Sequence, residues 1–332
     1  MSRLPDFYVV GAPKCGTTSL HRYLRQHPGV FVPDVKEPNF FCSDFPSIQK
    51  YKSLEDYSTL FEPAQENQLV GEASPWYLYS KTAIQNILDV QPDAKFIVML
   101  RNPVDAVISY YRYMRYYLVE DRNAILDAVL LEDWGGKAKT LIRHRHANPY
   151  LKYRGIFSYA EQVERIQKLV PKENLLILFF EDFFSSPAKN FGQVLNFLGL
   201  PEWPIKIEAH NTAIEWRFDF LRKILVNQGP LMQRGIARIS RFFRARGINI
   251  NKIFLQGVTK KGNAAKIDDV TKEMLKGIFA DDVKDLFSCL TPPSHKKWEY
   301  TNSIDFKPQL IEARRRLLMR EIPKSTGIGW AN

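Results

Sequence analysis

Phe7-Tyr8-Val9-Val10-Gly11-Ala12-Pro13-Lys14-Cys15-Gly16-Thr17-Thr18-Ser19-Leu20 opens with an apolar, β-favouring run that stops at a glycine. A turn with proline, lysine and a second glycine follows, then three hydroxyl residues and the helical pattern Leu20, Tyr23, Leu24. Strand, glycine-bounded loop and helix start together form an anion cradle, because loop N–H groups converge and the helix dipole favours negative charge.

Working outward, the same alternation recurs. Ala94 to Leu100 is a continuous apolar run with Arg101 at its end, and Asn102-Pro103 starts a helix carrying Val104, Val107, Ile108, Ser109 and Tyr111. Leu175 to Phe180 is a second buried-strand pattern, ending at Glu181-Asp182. Leu69 to Ala73 reads as a short strand, with Val30 to Val32 a further apolar piece. Helical patterns cover Thr17 to Gln26, Ala83 to Leu88, Ser158 to Val170, Pro187 to Leu198, Asp269 to Leu290 and Leu310 to Met319. Apolar strands alternating with helices predict an α/β fold: a P-loop-like, three-layer arrangement with a central parallel sheet and a mainly helical cap. Ligands in such sheets bind at the strands' C-terminal ends, where Gly11, Arg101 and Glu181 all fall. No linker or repeat divides the 332 residues. One domain is therefore expected over 1–332, with 205–260 as a basic cap and 305–332 as a C-terminal helix and tail.

The formal net charge is +11. Its placement is more telling than its size. Residues 220–267 hold eleven Lys or Arg and no acid, so the remaining cations match the 36 acids. That segment fits either an anionic ligand or a solvated basic face. Three cysteines without framework spacing, and an N-terminus running straight into the first strand, predict a reduced, cytoplasmic protein. The longest apolar run is far too short for a membrane span.

The loop departs from a nucleotide P-loop in an informative way. Gly11 and Gly16 keep the spacing, but Thr17 follows the second glycine and the lysine, Lys14, sits inside. No acid stands at the second strand end to hold magnesium; Arg101 is there instead. A P-loop kinase or NTPase needs that metal. A nucleic-acid or membrane binder would use the basic segment and leave the loop unexplained.

Gly11 to Ser19 resembles the 5′-phosphosulfate loop of the sulfotransferases that use 3′-phosphoadenosine 5′-phosphosulfate (PAPS). Arg101-Asn102-Pro103 with Ser109 resembles that family's 3′-phosphate motif, at fitting distance. Lys36-Glu37-Pro38-Asn39-Phe40-Phe41 is similar to the segment carrying the catalytic glutamate in the heparan-sulfate and bacterial branch. Lys261-Gly262-Asn263 resembles, less closely, a late cofactor loop, and Tyr159 matches a tyrosine near the adenosine. The resemblance implies Pro13, Lys14, Cys15, Gly16, Thr17, Thr18, Ser19, Arg101, Ser109, Tyr159, Lys261, Gly262 and Asn263 as cofactor-binding residues. Lys14 and Glu37 would be catalytic. Asn39, Phe40, Phe41, Pro75, Trp76 and His210 would line the acceptor site, and no metal is expected.

Each role has a plainer counterpart. Hydroxyls at Thr17, Thr18 and Ser19 are often only helix caps, and Cys15 fits a small packing residue. His144 and His146 lack a third ligand at motif spacing. Glu37, unpaired among Pro38, Phe40 and Phe41, would have a raised pKa suited to proton abstraction; a solvated pair with Lys36 is the alternative. Two departures from the heparan-sulfate branch concern the acceptor. Asn39 stands where that branch has histidine, and Glu72-Ala73-Ser74-Pro75 replaces Glu-Lys-Thr-Pro, so a second catalytic lysine is absent. The expected reaction is sulfuryl transfer to a hydroxyl or amine of a small-molecule acceptor, with a glycan as the alternative. No nucleic-acid partner and no integral membrane segment are expected, and homo-oligomerisation is left open.

Overall fold

The computed structural model describes residues 3–117, 119–120, 122–132, 149–207, 214–216, 259–261, 267–290, 298, 300 and 307–321. They fall into two compact units. The first comprises residues 1–109, 154–210 and 276–303, the second 110–153, 211–275 and 304–332.

Five parallel strands form the sheet of the first unit: β1 (Phe7–Gly11), β2 (Val30–Phe31), β3 (Leu69–Ala73), β4 (Lys95–Leu100) and β5 (Leu175–Phe179), in the order β2-β3-β1-β4-β5. Every residue of β1 is buried, as an unalternating apolar strand in the middle of a doubly covered sheet should be. The chain fills one side of β1 first and then crosses to the other. This makes the carboxyl end of β1 the switch point, where open α/β sheets place their ligands. Backbone bonds close that end: Ala12 N donates to Met99 O at 2.6 Å and Leu78 N to Val10 O at 2.7 Å.

Helix α1 (Thr17–Leu24) follows β1, and α2 (Leu54–Ser58), capped by the Ser53 hydroxyl on Asp56 N, precedes β3. The following helices are α3 (Ala83–Val90), α4 (Pro103–Tyr116), α5 (Ile125–Leu130), α6 (Tyr153–Phe157), α7 (Ala160–Leu169), α8 (Phe180–Ser185) and α9 (Pro187–Leu198). Gly199, in a left-handed conformation, stops α9. Helix α10 spans Asp269–Cys289 and α11 Lys307–Glu321. Asp282 on α10 accepts hydrogen bonds from Tyr159 N and Ala160 N, capping the start of α7 from outside. The core of this unit is aromatic, with Tyr23 against Phe183 and Phe191, and Trp298 among Tyr159, Phe179 and Phe287.

Two expectations change. Glu181 does not follow a strand directly, because Phe180 already begins α8. Beyond Pro201, where sequence patterning shows only helices and loops, β6 (Ile214–Trp216) pairs antiparallel with β7 (Thr259–Lys261) in the second unit. Most of the basic segment lies outside the described residues, as do His144 and His146. Among the described residues, no helix is long and apolar enough to cross a membrane.

Gly71 lies beside Phe7 across the β1–β3 pair, and a Cβ there would overlap the Phe7 ring. Gly71→Ala should therefore cost about 1–3 kcal/mol in denaturant unfolding, the usual cost of overpacking a filled core.

Candidate active site

Three non-glycine residues among those described have positive φ: Lys14 at 63°, Glu37 at 58° and Asn39 at 51°. Such backbone costs about 1–3 kcal/mol per residue and gathers where function demands it. All three belong to the two motifs that the sequence marked as donor loop and acceptor segment.

The donor loop is built around Gly16, which caps α1 with φ 88°. A side chain there would collide with Phe184, whose Cε2 would lie 2.5 Å from its Cβ. The first turn of α1 has no side-chain cap and no acid. The N–H groups of Thr17 and Thr18 precede the first intrahelical bonds, made by Ser19 and Leu20 to Gly16 O. An uncapped helix start of this kind is a ready anion site. Thr17 is buried, Ser19 half-buried and Thr18 exposed.

The loop's charge is concentrated at Lys14. Burial pushes its ammonium below the ordinary lysine value, Glu37 pulls it back up, and Arg101 and Lys36 push it down again. A cation desolvated beside two like charges is stabilised by an arriving anion. Arg101 Nη1 donates to Lys14 O at 3.4 Å, its guanidinium lies 4.3 Å from the Phe180 ring centroid, and its buried Nε has no partner among the described residues.

What fixes Arg101 is a small polar frame. Glu181 accepts from Asn102 N (2.9 Å) and from Trp298 Nε1 (3.2 Å). Asn102 Oδ1 in turn takes Val104 N at the start of α4 and the Tyr300 hydroxyl. Ser109 is half-buried in the second turn of α4. Below the loop, Cys15 is fully buried, its thiol 3.6 Å from the Tyr159 hydroxyl and pushed up to about 12 by burial. It is a packing residue, not a nucleophile. Tyr159 is equally buried, so it supports the loop from beneath.

On the acceptor side the structure corrects one expectation. Glu37 is not unpaired: Lys36 Nζ donates to its Oε1 at 2.5 Å. This is the pair that the alternative reading described, with the Glu37 side chain 40% exposed against 18% for Lys36. The end of β3 holds the segment, with Glu37 N donating to Ala73 O and Asn39 N to Ser74 Oγ, both 3.1 Å. Asn39 is buried, with its Nδ2 on the carbonyls of Glu37 and Ile48 and its Oδ1 without a partner among the described residues. Of the other proposed acceptor contacts, Phe41, Pro75 and Trp76 are buried in the core, whereas Phe40 keeps a partly exposed ring. His210, Gly262 and Asn263 lie outside the described residues, and Lys261 is in β7 of the second unit.

Glu72 is the residue that motif reading passed over. It is 1% exposed, and its Oε2 accepts the hydroxyls of Tyr57 and Tyr77 at 2.7 Å each. Burial raises its pKa from 4.5 to about 7 against these hydrogen bonds and the Lys36 charge. Among the described residues, no three metal-ligating side chains stand together.

Two strand ends thus present cations and open N–H groups, with a carboxylate facing them from a third. Residues 4–279 match the family model for the sulfotransferase domain. The chain belongs to the sulfotransferase family. The sulfotransferase superposes on a sulfotransferase structure from Alicyclobacillus acidocaldarius with a TM-score of 0.61 and 25% identity, over 86% of this chain and 95% of that one. It is 31% identical to human carbohydrate sulfotransferase 15 over 62% of this chain and 46% of the relative. It is 26% identical to the bifunctional heparan sulfate N-deacetylase/N-sulfotransferase 1 of Caenorhabditis briggsae, over 86% of this chain and 30% of the relative. The sulfotransferase therefore spans less than half the length of these two curated relatives. The sulfuryl donor that the sequence resemblance implies is PAPS. The residues present fit such a donor, whose two anionic ends match the open α1 start with Lys14 and the partner-poor Arg101.

The raised Glu72 pKa makes a stability prediction. The native state holds this proton more tightly than the unfolded chain, so the contribution is fully present below pH 4.5 and lost as pH rises through about 7. Glu72→Gln keeps an acceptor for both tyrosines but cannot titrate. Denaturant unfolding at pH 4 and pH 8 should show the variant gaining about 3 kcal/mol relative to the native sequence across that interval.

Proposed function

We propose that this sulfotransferase moves a sulfuryl group from PAPS to a hydroxyl or amine of a small-molecule acceptor, without a metal, with Glu37 as general base and Lys14 as catalytic cation. The observation that carries the reading is the convergence of Lys14, Arg101 and the Lys36–Glu37 pair, with left-handed backbone at Lys14, Glu37 and Asn39.

When bound, PAPS supplies a sulfuryl group on a phosphate that leaves. Lys14 and the open N–H groups of α1, together with the hydroxyls of Thr17 and Thr18, stabilise the negative charge that grows on the leaving oxygen. A sulfuryl group carries less charge than a phosphoryl group, so cations and N–H groups suffice. Arg101 and Ser109 hold the 3′-phosphate, for which a guanidinium fork is suited, and thereby select the donor over ATP. Lys36 engages Oε1 of Glu37, leaving Oε2 to take the acceptor's proton.

Ala73, in place of a lysine, removes one cation from the acceptor side, which favours a small acceptor. The names of the glycan-modifying relatives and the cation-rich 220–267 segment favour the second reading, an acidic glycan. The three free cysteines, two of them buried, favour a reducing compartment such as the cytoplasm.

Calorimetric titration with the product nucleotide, 3′-phosphoadenosine 5′-phosphate (PAP), should give saturable binding, and its absence would overturn the proposal. Arg101→Ala should weaken that binding about 10- to 150-fold, the value of a charge-assisted contact. With labelled PAPS and a panel of alcohols, amines and oligosaccharides, the accepted compound identifies the acceptor class. Glu37→Gln should lower transfer to it about 10²–10⁴-fold with unchanged PAP affinity. Near-native turnover would remove Glu37 from the mechanism.

A further inference from the structure

Glu72 destabilises the folded state above pH 7, although an uncharged side chain would fill the same space without that cost. Its surroundings show what the carboxylate does. Tyr57 on α2 and Tyr77 after β3 both donate to one oxygen. The Tyr77 hydroxyl also accepts from Phe41 N at 3.5 Å. Tyr57 stacks on Phe40 with centroids 4.6 Å apart and an interplanar angle of 11°. Glu72 therefore reaches the acceptor segment through both tyrosines, and its neighbours Ala73 and Ser74 bind Glu37 N and Asn39 N directly.

We propose that Glu72 is a positioning residue whose buried negative charge tightens the Lys36–Phe41 segment and so holds Glu37 in its left-handed conformation beside Lys14. This rests on the acceptor role given to that segment above. A hydroxyl donating to a carboxylate makes a bond about twice as strong as a neutral one, and the polarised Tyr77 oxygen becomes a better acceptor for Phe41 N. Protonation of Glu72 returns both bonds to neutral strength and loosens the segment.

The groups facing Glu72 come from every side. They are Tyr57 from α2, Tyr8 from β1 directly across the sheet, Tyr77, Ser74 and Cys42, and Lys36 from the segment itself. Burial keeps the three tyrosine hydroxyls and the Cys42 thiol well above their ordinary values. Glu72 is thus the group of this cluster poised to change charge near neutral pH.

Amide hydrogen exchange on the full chain tests this without an acceptor. After correction for intrinsic rates, protection at Glu37, Asn39 and Phe41 should rise between pH 6 and pH 8, whereas Ile97 and Val98 of β4, which report global unfolding, should lose protection about tenfold as Glu72 ionises. In Glu72→Gln the rise should vanish while PAP affinity stays native. If that variant does not fold, Tyr77→Phe keeps the charge and cuts the relay, and the rise at Phe41 should vanish there. A flat native profile, or an equal rise in a folded variant, overturns the proposal. Loss of PAP binding by the native protein would instead overturn the donor assignment and leave the exchange result standing.

Discussion

The structure depends on confining positive charge at the carboxyl end of β1. Lys14, Arg101 and Lys36 share a partly desolvated region, where like charges raise one another's energy far more than they would in water. Each is held by a separate element. Lys14 sits on the glycine-bounded loop, Arg101 on the end of β4 against Phe180, and Lys36 on the segment tied to β3. Such an arrangement is tolerable because Glu37 offsets part of it and because the site's ligand is an anion. The helix start of α1 adds dipole charge of the same sign, and its first turn has neither a side-chain cap nor an acid.

Seen this way, the acceptor segment has two duties. Its lysine adds to the cationic cluster, and its glutamate is both the cluster's counter-charge and the candidate base. The bond between them at 2.5 Å joins those duties in adjacent residues. Left-handed backbone at Glu37 lets neighbouring side chains meet, at a conformational cost that the fixed end of β3 has to meet. Ala73 O, Ser74 Oγ and the Glu72–Tyr77 relay are the contacts that do so.

What the sequence reveals and what it hides divides along the same line. β1 and β4 are legible because strands buried on both faces are uninterrupted apolar runs, and β5 carries such a run although it lies at the sheet edge and is mostly half-buried. Gly16, Lys14 and Arg101 are legible because spacing along one chain carries their chemistry. Of the two readings that the sequence leaves for Glu37, the structure forms the pair with Lys36, with Glu37 the more exposed partner. Glu72 was hidden for a different reason. Its environment comes from Tyr8, Tyr57 and Tyr77 on three elements, and no period in the chain announces that they meet. The β6–β7 pairing joins three-residue strands far apart in the chain, too short for alternation to register.

The position of the lysine separates this site from a nucleotide P-loop in physical terms. After the second glycine, a lysine would lie on the helix and reach along the phosphates. Inside the loop, Lys14 has its carbonyl bound to Arg101 and its ammonium within the field of Glu37. One residue thereby feels both the 3′-phosphate motif and the candidate base. Lys36 is the nearest counter-charge for Glu37, and Glu72, from beneath, is the second carboxylate acting on that lysine. Two carboxylates thus share Lys36, while Lys14 answers to Glu37 and Arg101.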